Sequence, residues 1–141
     1  MADLQSPNAA GRPRKVVNML LVEEQQLLRK TVSMTARSLG MAAVHEAATA
    51  EAAEKLLKEK SFEGAVISLE CGAFGGAEHN FTLLDRVRGG MSASDASIPI
   101  AVLVDRPTAQ LMQELRNRDI SRVIVKPFRA KVLLDTFASF A

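Results

Sequence analysis

The sequence has no tryptophan, no tyrosine and one cysteine, and aromatic residues make up only 4% of it. A single cysteine rules out an internal disulfide framework and suits a reducing compartment. Without Trp or Tyr, and with its six Phe expected in the core, the chain has little to stack against a nucleic-acid base. No apolar run is long enough to span a membrane, and Met1 to Arg14 lacks the apolar centre of a signal peptide. A cytoplasmic location is the expectation. A surplus of one charge is also missing from most of the chain. The net +2 lies wholly in residues 1 to 15, where Arg12, Arg14 and Lys15 outnumber Asp3, and the rest is neutral. A DNA-binding fold carries a basic stripe on its body, so DNA binding by the domain itself is disfavoured.

What remains is ordinary for a globular domain: 141 residues, 48% hydrophobic and 24% charged, enough to bury a core without disulfides or metal. The composition divides the chain into a disordered basic tail, residues 1–14, and one domain, residues 15–141. The Arg12-Pro13-Arg14-Lys15 cluster reads as a solvated tail rather than an anion site. Val16 to Val22 is apolar apart from Asn18, as a parallel strand covered on both faces should be, and it ends in Glu23 and Glu24. From Gln25 to Leu39, Leu28, Val32, Ala36 and Leu39 recur at helical spacing, and Gly40 stops the helix. A short strand at Ala42 to Glu46 follows. Thr49 then reads as the N-cap of a helix running to Lys60, with Ala53, Leu56 and Leu57 inward.

The run Ala65-Val66-Ile67-Ser68-Leu69-Glu70 reads as a buried central strand emptying into a glycine loop. A third helix carries Phe81, Leu84 and Val87, and a loose connection spans Gly89 to Ser97. Ile98 to Val104 is another apolar strand, with Pro99 near its start. Thr108 caps a fourth helix with Leu111, Met112 and Leu115 inward. Val123-Ile124-Val125 is the last strand, and Arg129 to Phe140 the last helix. Five alternating strand and helix units with short crossovers call for an α/β fold, a doubly wound parallel sheet with helices on both sides. In such a sheet, chemistry sits beyond the carboxyl ends of the strands. Glu23, Glu24, Ser68 and Lys126 fall there.

Three motifs in this order, Leu20-Leu21-Val22-Glu23-Glu24, Ile98-Pro99-Ile100-Ala101-Val102-Leu103 and Val125-Lys126-Pro127-Phe128, resemble the receiver domain of two-component response regulators across Lys15 to Ala141. The resemblance implies a flavodoxin-like (βα)5 fold with strand order 2-1-3-4-5 and a cis Lys126–Pro127 bond. In that family an acidic pair follows the first strand, a phosphoacceptor aspartate ends the third, a Thr or Ser ends the fourth, and Lys-Pro follows the fifth. Here Ser68 stands at the phosphoacceptor position and Val104 at the hydroxyl position. Val123 takes the aromatic switch position. Glu23 and Glu24 keep the acidic charge on longer arms, and Lys126 is retained.

Phosphoryl transfer to a carboxylate needs magnesium on hard oxygen ligands, an in-line nucleophile and donors for the developing charge. Ser68 removes an anionic ligand and substitutes an alcohol without an evident base. Val104 removes the hydroxyl. The expectation is a pseudo-receiver, not an enzyme, without a required cofactor, in which Lys126 pairs directly with Glu23 or Glu24. Glu70 and Asp105 are further carboxylates near this end, Glu70 being read first as a solvated loop residue. Cys71 is expected to be inert. The Gly72, Gly75 and Gly76 loop lacks a Walker-type lysine, and His45 and His79 have no ligand partners at useful spacing.

With the chemistry lost, function moves to surfaces. In the family the face of the fourth helix, fifth strand and fifth helix carries dimer and output contacts. Leu134, Phe137 and Phe140 of the last helix are expected to offer such a face, to a signalling partner or to a second copy in a homodimer. The leading reading is a stand-alone signalling adaptor whose partner is a histidine kinase, phosphotransferase or regulator, with no membrane contact. The alternatives are a receiver phosphorylated at a non-standard residue, which predicts magnesium at Glu23 and Glu24, and a module binding a cyclic dinucleotide through Arg12, Arg14, Arg116 and Arg118. A flavodoxin-like enzyme would need Ser- or Thr-rich donors after the first strand, where the two glutamates stand.

Overall fold

In the computed structural model, which describes residues 7–8, 10–11, 17–72 and 79–140, the apolar segments form five strands. They are β1 (Val17–Val22), β2 (Ala42–Ala47), β3 (Gly64–Ser68), β4 (Ile100–Val104) and β5 (Arg122–Val125). All neighbouring pairs are parallel, in the order β2-β1-β3-β4-β5, the expected 2-1-3-4-5 arrangement. Between and after them run α1 (Gln26–Ser38), α2 (Ala50–Glu59), α3 (Thr82–Arg88), α4 (Ala109–Asn117) and α5 (Ala130–Phe140). In the tail, expected to be disordered, Pro7–Asn8 pairs antiparallel with Ala10–Gly11. The boundary at residues 14 and 15, the arginines of the tail, and Gly75 and Gly76 lie outside the described residues.

Alternation of side chains along each strand divides the core into two layers. Leu20, Val22, Ala65, Ile67, Val102 and Val104 pack with Ala53 and Leu57 of α2, Leu83, Leu84 and Val87 of α3, and Leu111 and Leu115 of α4. Met19, Leu21, Val66, Ala101 and Leu103 face the other way, onto Val32 and Ala36 of α1 and Leu133 and Phe137 of α5. Every residue of β3 and β4 is buried, which is why these strands are almost wholly apolar.

Local chemistry sets the ends of the elements. The Thr49 and Thr108 hydroxyls accept from the backbone N–H groups of Ala52 and Leu111, as N-caps do. Gly40, at φ +65°, turns the chain out of α1 in the left-handed conformation that a side chain disfavours. The fourth strand starts at Ile100 rather than Ile98, because Pro99 has no N–H and the N–H of Ile98 turns back to Asp95. Arg88, the last residue of α3, donates to four carbonyls: Arg118 and Asp119 after α4, and Ala96 and Ile98 before β4.

The last helix departs from expectation. Phe137 is 1% exposed and lies in the core on the α1 side of the sheet, while Leu134 and Phe140 are half-buried against that same cluster. The wide apolar arc of α5 is consumed by the sheet and α1, so Phe137 is not a surface residue. The exposed large apolar side chains among the described residues are Leu27, Met34, Leu39, Met91 and Val125.

Candidate functional site

Parallel pairing sets the carboxyl ends of β1, β3, β4 and β5 along one edge of the sheet, and a cleft of about 550 Å³ opens there. It is lined by Glu23, Glu24, Gln25, Leu28, Glu70, Asp105, Lys126, Pro127 and Phe128. Glu23 directly continues β1, its N–H bonding to the Ala47 carbonyl at 3.0 Å. Its carboxylate is almost fully buried. Oε2 accepts from the N–H of Gln25 at 2.8 Å, and Oε1 is sealed from solvent without a hydrogen-bond partner. Glu24 is exposed at the rim.

Lys126 crosses to meet them. Its N–H is held by the Val104 carbonyl at 2.8 Å, the bond to Pro127 is cis, and its side chain runs over the end of β4. The ammonium donates to Ser68 Oγ at 2.9 Å and to Glu70 Oε1 at 3.2 Å, and lies 3.5 Å from Glu23 Oε1. Glu70 is thus not a solvated loop residue. The chain turns after β3, bringing the Glu70 carboxylate back over the strand end, where its second oxygen accepts from the N–H of Asp105 at 3.1 Å. Asp105 itself is exposed at the rim. His79 Nε2 approaches Glu70 at 3.9 Å, in a smaller adjoining hollow with Arg106.

The electrostatics follow from this arrangement. Burial acts to lower the Lys126 pKa, but Glu23, Glu70 and Asp105 outweigh it and the net shift is upward. The lysine is therefore a cation that donates to Ser68, and it cannot serve as a base to activate the serine hydroxyl. Ser68 is buried, at 2% exposed. Val104 lies in the core and offers no donor, and Val123 packs against the same core layer. Cys71 is buried, and desolvation, followed by the charges of Glu24 and Glu23, pushes its thiol up to about 11.

The sequence reading missed Arg29. Arg29 is 8% exposed, and its guanidinium donates to the Glu23 carbonyl at 2.8 Å and pairs with Glu46 at 3.0 Å, which fixes the loop carrying both glutamates. The signal was there: Arg29 stands three residues before Val32 and seven before Ala36, on the buried stripe of α1. Arg118, considered above as a phosphate ligand, is engaged by Asp85 and Glu114 and stacks on Phe81 at 4.3 Å.

No protein-family model matches the sequence, and no curated protein matches it. Solved structures do. A CheY-like response regulator receiver domain from Methanospirillum hungatei JF-1 superposes with a TM-score of 0.74 at 14% identity, over 89% of this chain and 93% of that one. The fold is that of response regulator receiver domains. The chemotaxis response regulator CheY4 of Vibrio cholerae gives a TM-score of 0.73 at 22% identity, over 90% of this chain and all of its own (100%). The receiver domain of the sensor histidine kinase PA1611 from Pseudomonas aeruginosa PAO1, which has magnesium coordinated in its active site cleft, gives 0.67 at 16% identity, over 89% and 98%.

The receiver fold implies magnesium, and the residues of this cleft do not fit it. The end of β3 supplies a neutral hydroxyl, a weaker ligand for a hard cation than a carboxylate. The two inward carboxylate oxygens, Glu23 Oε1 and Glu70 Oε1, already face an ammonium. Among the described residues no group of three or more His, Cys, Asp or Glu side chains is arranged to hold a metal ion.

Proposed function

We propose that this chain is a receiver-like signalling protein that acts by protein–protein contact, without phosphoryl transfer to the end of its third strand. The observation that carries this reading is the Ser68–Lys126 hydrogen bond at 2.9 Å. An alcohol held by a cation at the end of the third strand, where phosphoryl chemistry of this fold calls for a carboxylate nucleophile, supports the reading. The receiver-like fold supports a role in two-component signalling, with a histidine kinase, phosphotransferase or regulator as partner. Neutrality of the chain beyond residue 15 speaks against DNA as that partner.

Intact-mass spectrometry after incubation with magnesium and a small-molecule phosphodonor tests the reading, with Lys126→Ala as the matched control. No phosphoryl adduct is the expected result. An adduct on the wild type, lost in the control and mapped to Ser68, Glu70 or Asp105, would overturn it and establish a receiver phosphorylated at a non-standard residue.

A further inference from the structure

We infer that the Lys126 ammonium is the resident cation of the cleft and that its presence keeps divalent cations out. Three oxygens converge on Nζ: Ser68 Oγ at 2.9 Å, Glu70 Oε1 at 3.2 Å and Glu23 Oε1 at 3.5 Å. The two carboxylates are oriented for this by the same device. Each gives one oxygen to a backbone N–H, Glu23 to Gln25 and Glu70 to Asp105, and turns the other to the ammonium. Arg29 holds the Glu23 backbone from behind, and the Val104 carbonyl anchors the backbone of Lys126. The cage is therefore assembled before any ligand arrives.

The type of donor matches the type of cation. An ammonium offers three N–H donors, suits two carboxylates and a hydroxyl, and needs no dehydration of a metal ion. A divalent cation entering the same point would meet a fixed positive charge a few ångströms away, in a site where Glu23 is shielded from solvent and screening is weak. Removing the ammonium while keeping the three oxygens should turn the cage into a divalent-cation site. The inference concerns this charge balance alone and holds or fails separately from the phosphorylation reading, because its test contains no phosphodonor.

The experiment is a manganese(II) titration of the full chain followed by paramagnetic broadening in amide correlation spectra, with wild type and Lys126→Met compared side by side. The expected result is no selective broadening in the wild type. In Lys126→Met the amides of Glu24, Gln25, Leu69, Glu70 and Asp105 should broaden first, with an apparent affinity raised roughly tenfold or more, and the added Glu23→Gln change should abolish the gain. Spectral dispersion reports folding, and if Lys126→Met does not fold, Lys126→Gln, which keeps a donor for Ser68, takes its place. Selective broadening of these amides in the wild type would overturn the inference. So would a folded lysine variant that gains none, since the oxygens would then lack metal affinity for a reason other than the ammonium.

Discussion

Replacing Lys126 by methionine keeps most of the apolar stem and deletes the charge, which isolates the energetic role of the ammonium. Glu23 has a side chain 5% exposed and Lys126 one 22% exposed, so the pair is neither a surface contact nor a fully dry one. Breaking a buried pair costs about 3–5 kcal/mol when the remaining charge has no solvent, and an exposed pair is worth about 0–1 kcal/mol. The open side of the cleft lets water reach Glu70, whereas Glu23 Oε1 is sealed. A loss of about 2–3 kcal/mol is expected, almost all of it from Glu23. Glu23→Gln should cost about 1 kcal/mol, because Lys126 keeps Ser68 and Glu70, and the double variant should recover about 1–2 kcal/mol as coupling. With no Trp or Tyr in the chain, urea unfolding followed by far-ultraviolet circular dichroism is the assay. At a slope of about 1–3 kcal/mol per molar urea, the single lysine variant shifts the midpoint by about 1–2 M. A coupling energy below about 0.5 kcal/mol would refute the argument and reduce the pair to a surface contact.

Phe137→Ala is expected to destabilise by about 3–5 kcal/mol, since it empties a fully packed position; an unchanged urea midpoint with altered self-association would return this residue to the surface. At alkaline pH two groups act in the same direction. Cys71 holds its proton from 9.0 up to about 11, and Lys126 is shifted upward from 10.5, so both contributions are intact below the unfolded values. Stability should fall from about pH 9 upward as the thiol contribution is lost, and further once pH passes through the raised lysine value; urea midpoints that stay level across this range would contradict it. The same thiol should react negligibly with a disulfide reagent at neutral pH in the folded state and readily in urea, and fast labelling of the folded chain would show that Cys71 is accessible. Arg29→Met should cost about 2–4 kcal/mol by leaving the Glu23 carbonyl without its side-chain donor and Glu46 with Lys30 alone. That loss is read in the urea midpoint, and a cost under about 0.5 kcal/mol would mean that other contacts hold the first loop.

Much of the fold was legible because parallel strands covered on both faces must be apolar and helices with one buried side must repeat at helical spacing. The runs at Val66 and Val102 and the stripes at Val32 and Leu57 carry that signal on their own. Where the reading failed, the deciding quantity was three-dimensional. Leu134, Phe137 and Phe140 form an arc whose composition does not say which part the sheet consumes. Glu70 follows Ser68 by two residues, but its direction depends on a turn, and only that turn returns the carboxylate to Lys126, 56 residues later in the chain. The strand-end residues were identifiable because topology places strand termini together. The pairing among them was not, since side-chain reach and burial choose between Glu23 and Glu24.

Arg88 has a consequence for how the domain comes apart. One guanidinium collects carbonyls from the segment before β4 and from the turn after α4, two stretches some twenty residues apart in the chain. Neither can lift from the body without stranding donors shared with the other, so they should open as one cooperative unit rather than as two independently breathing loops. The latch sits at the amino-terminal edge of β4, opposite the cleft. Local opening at that end would leave the ammonium cage closed, and the two ends of the sheet would have separate lifetimes.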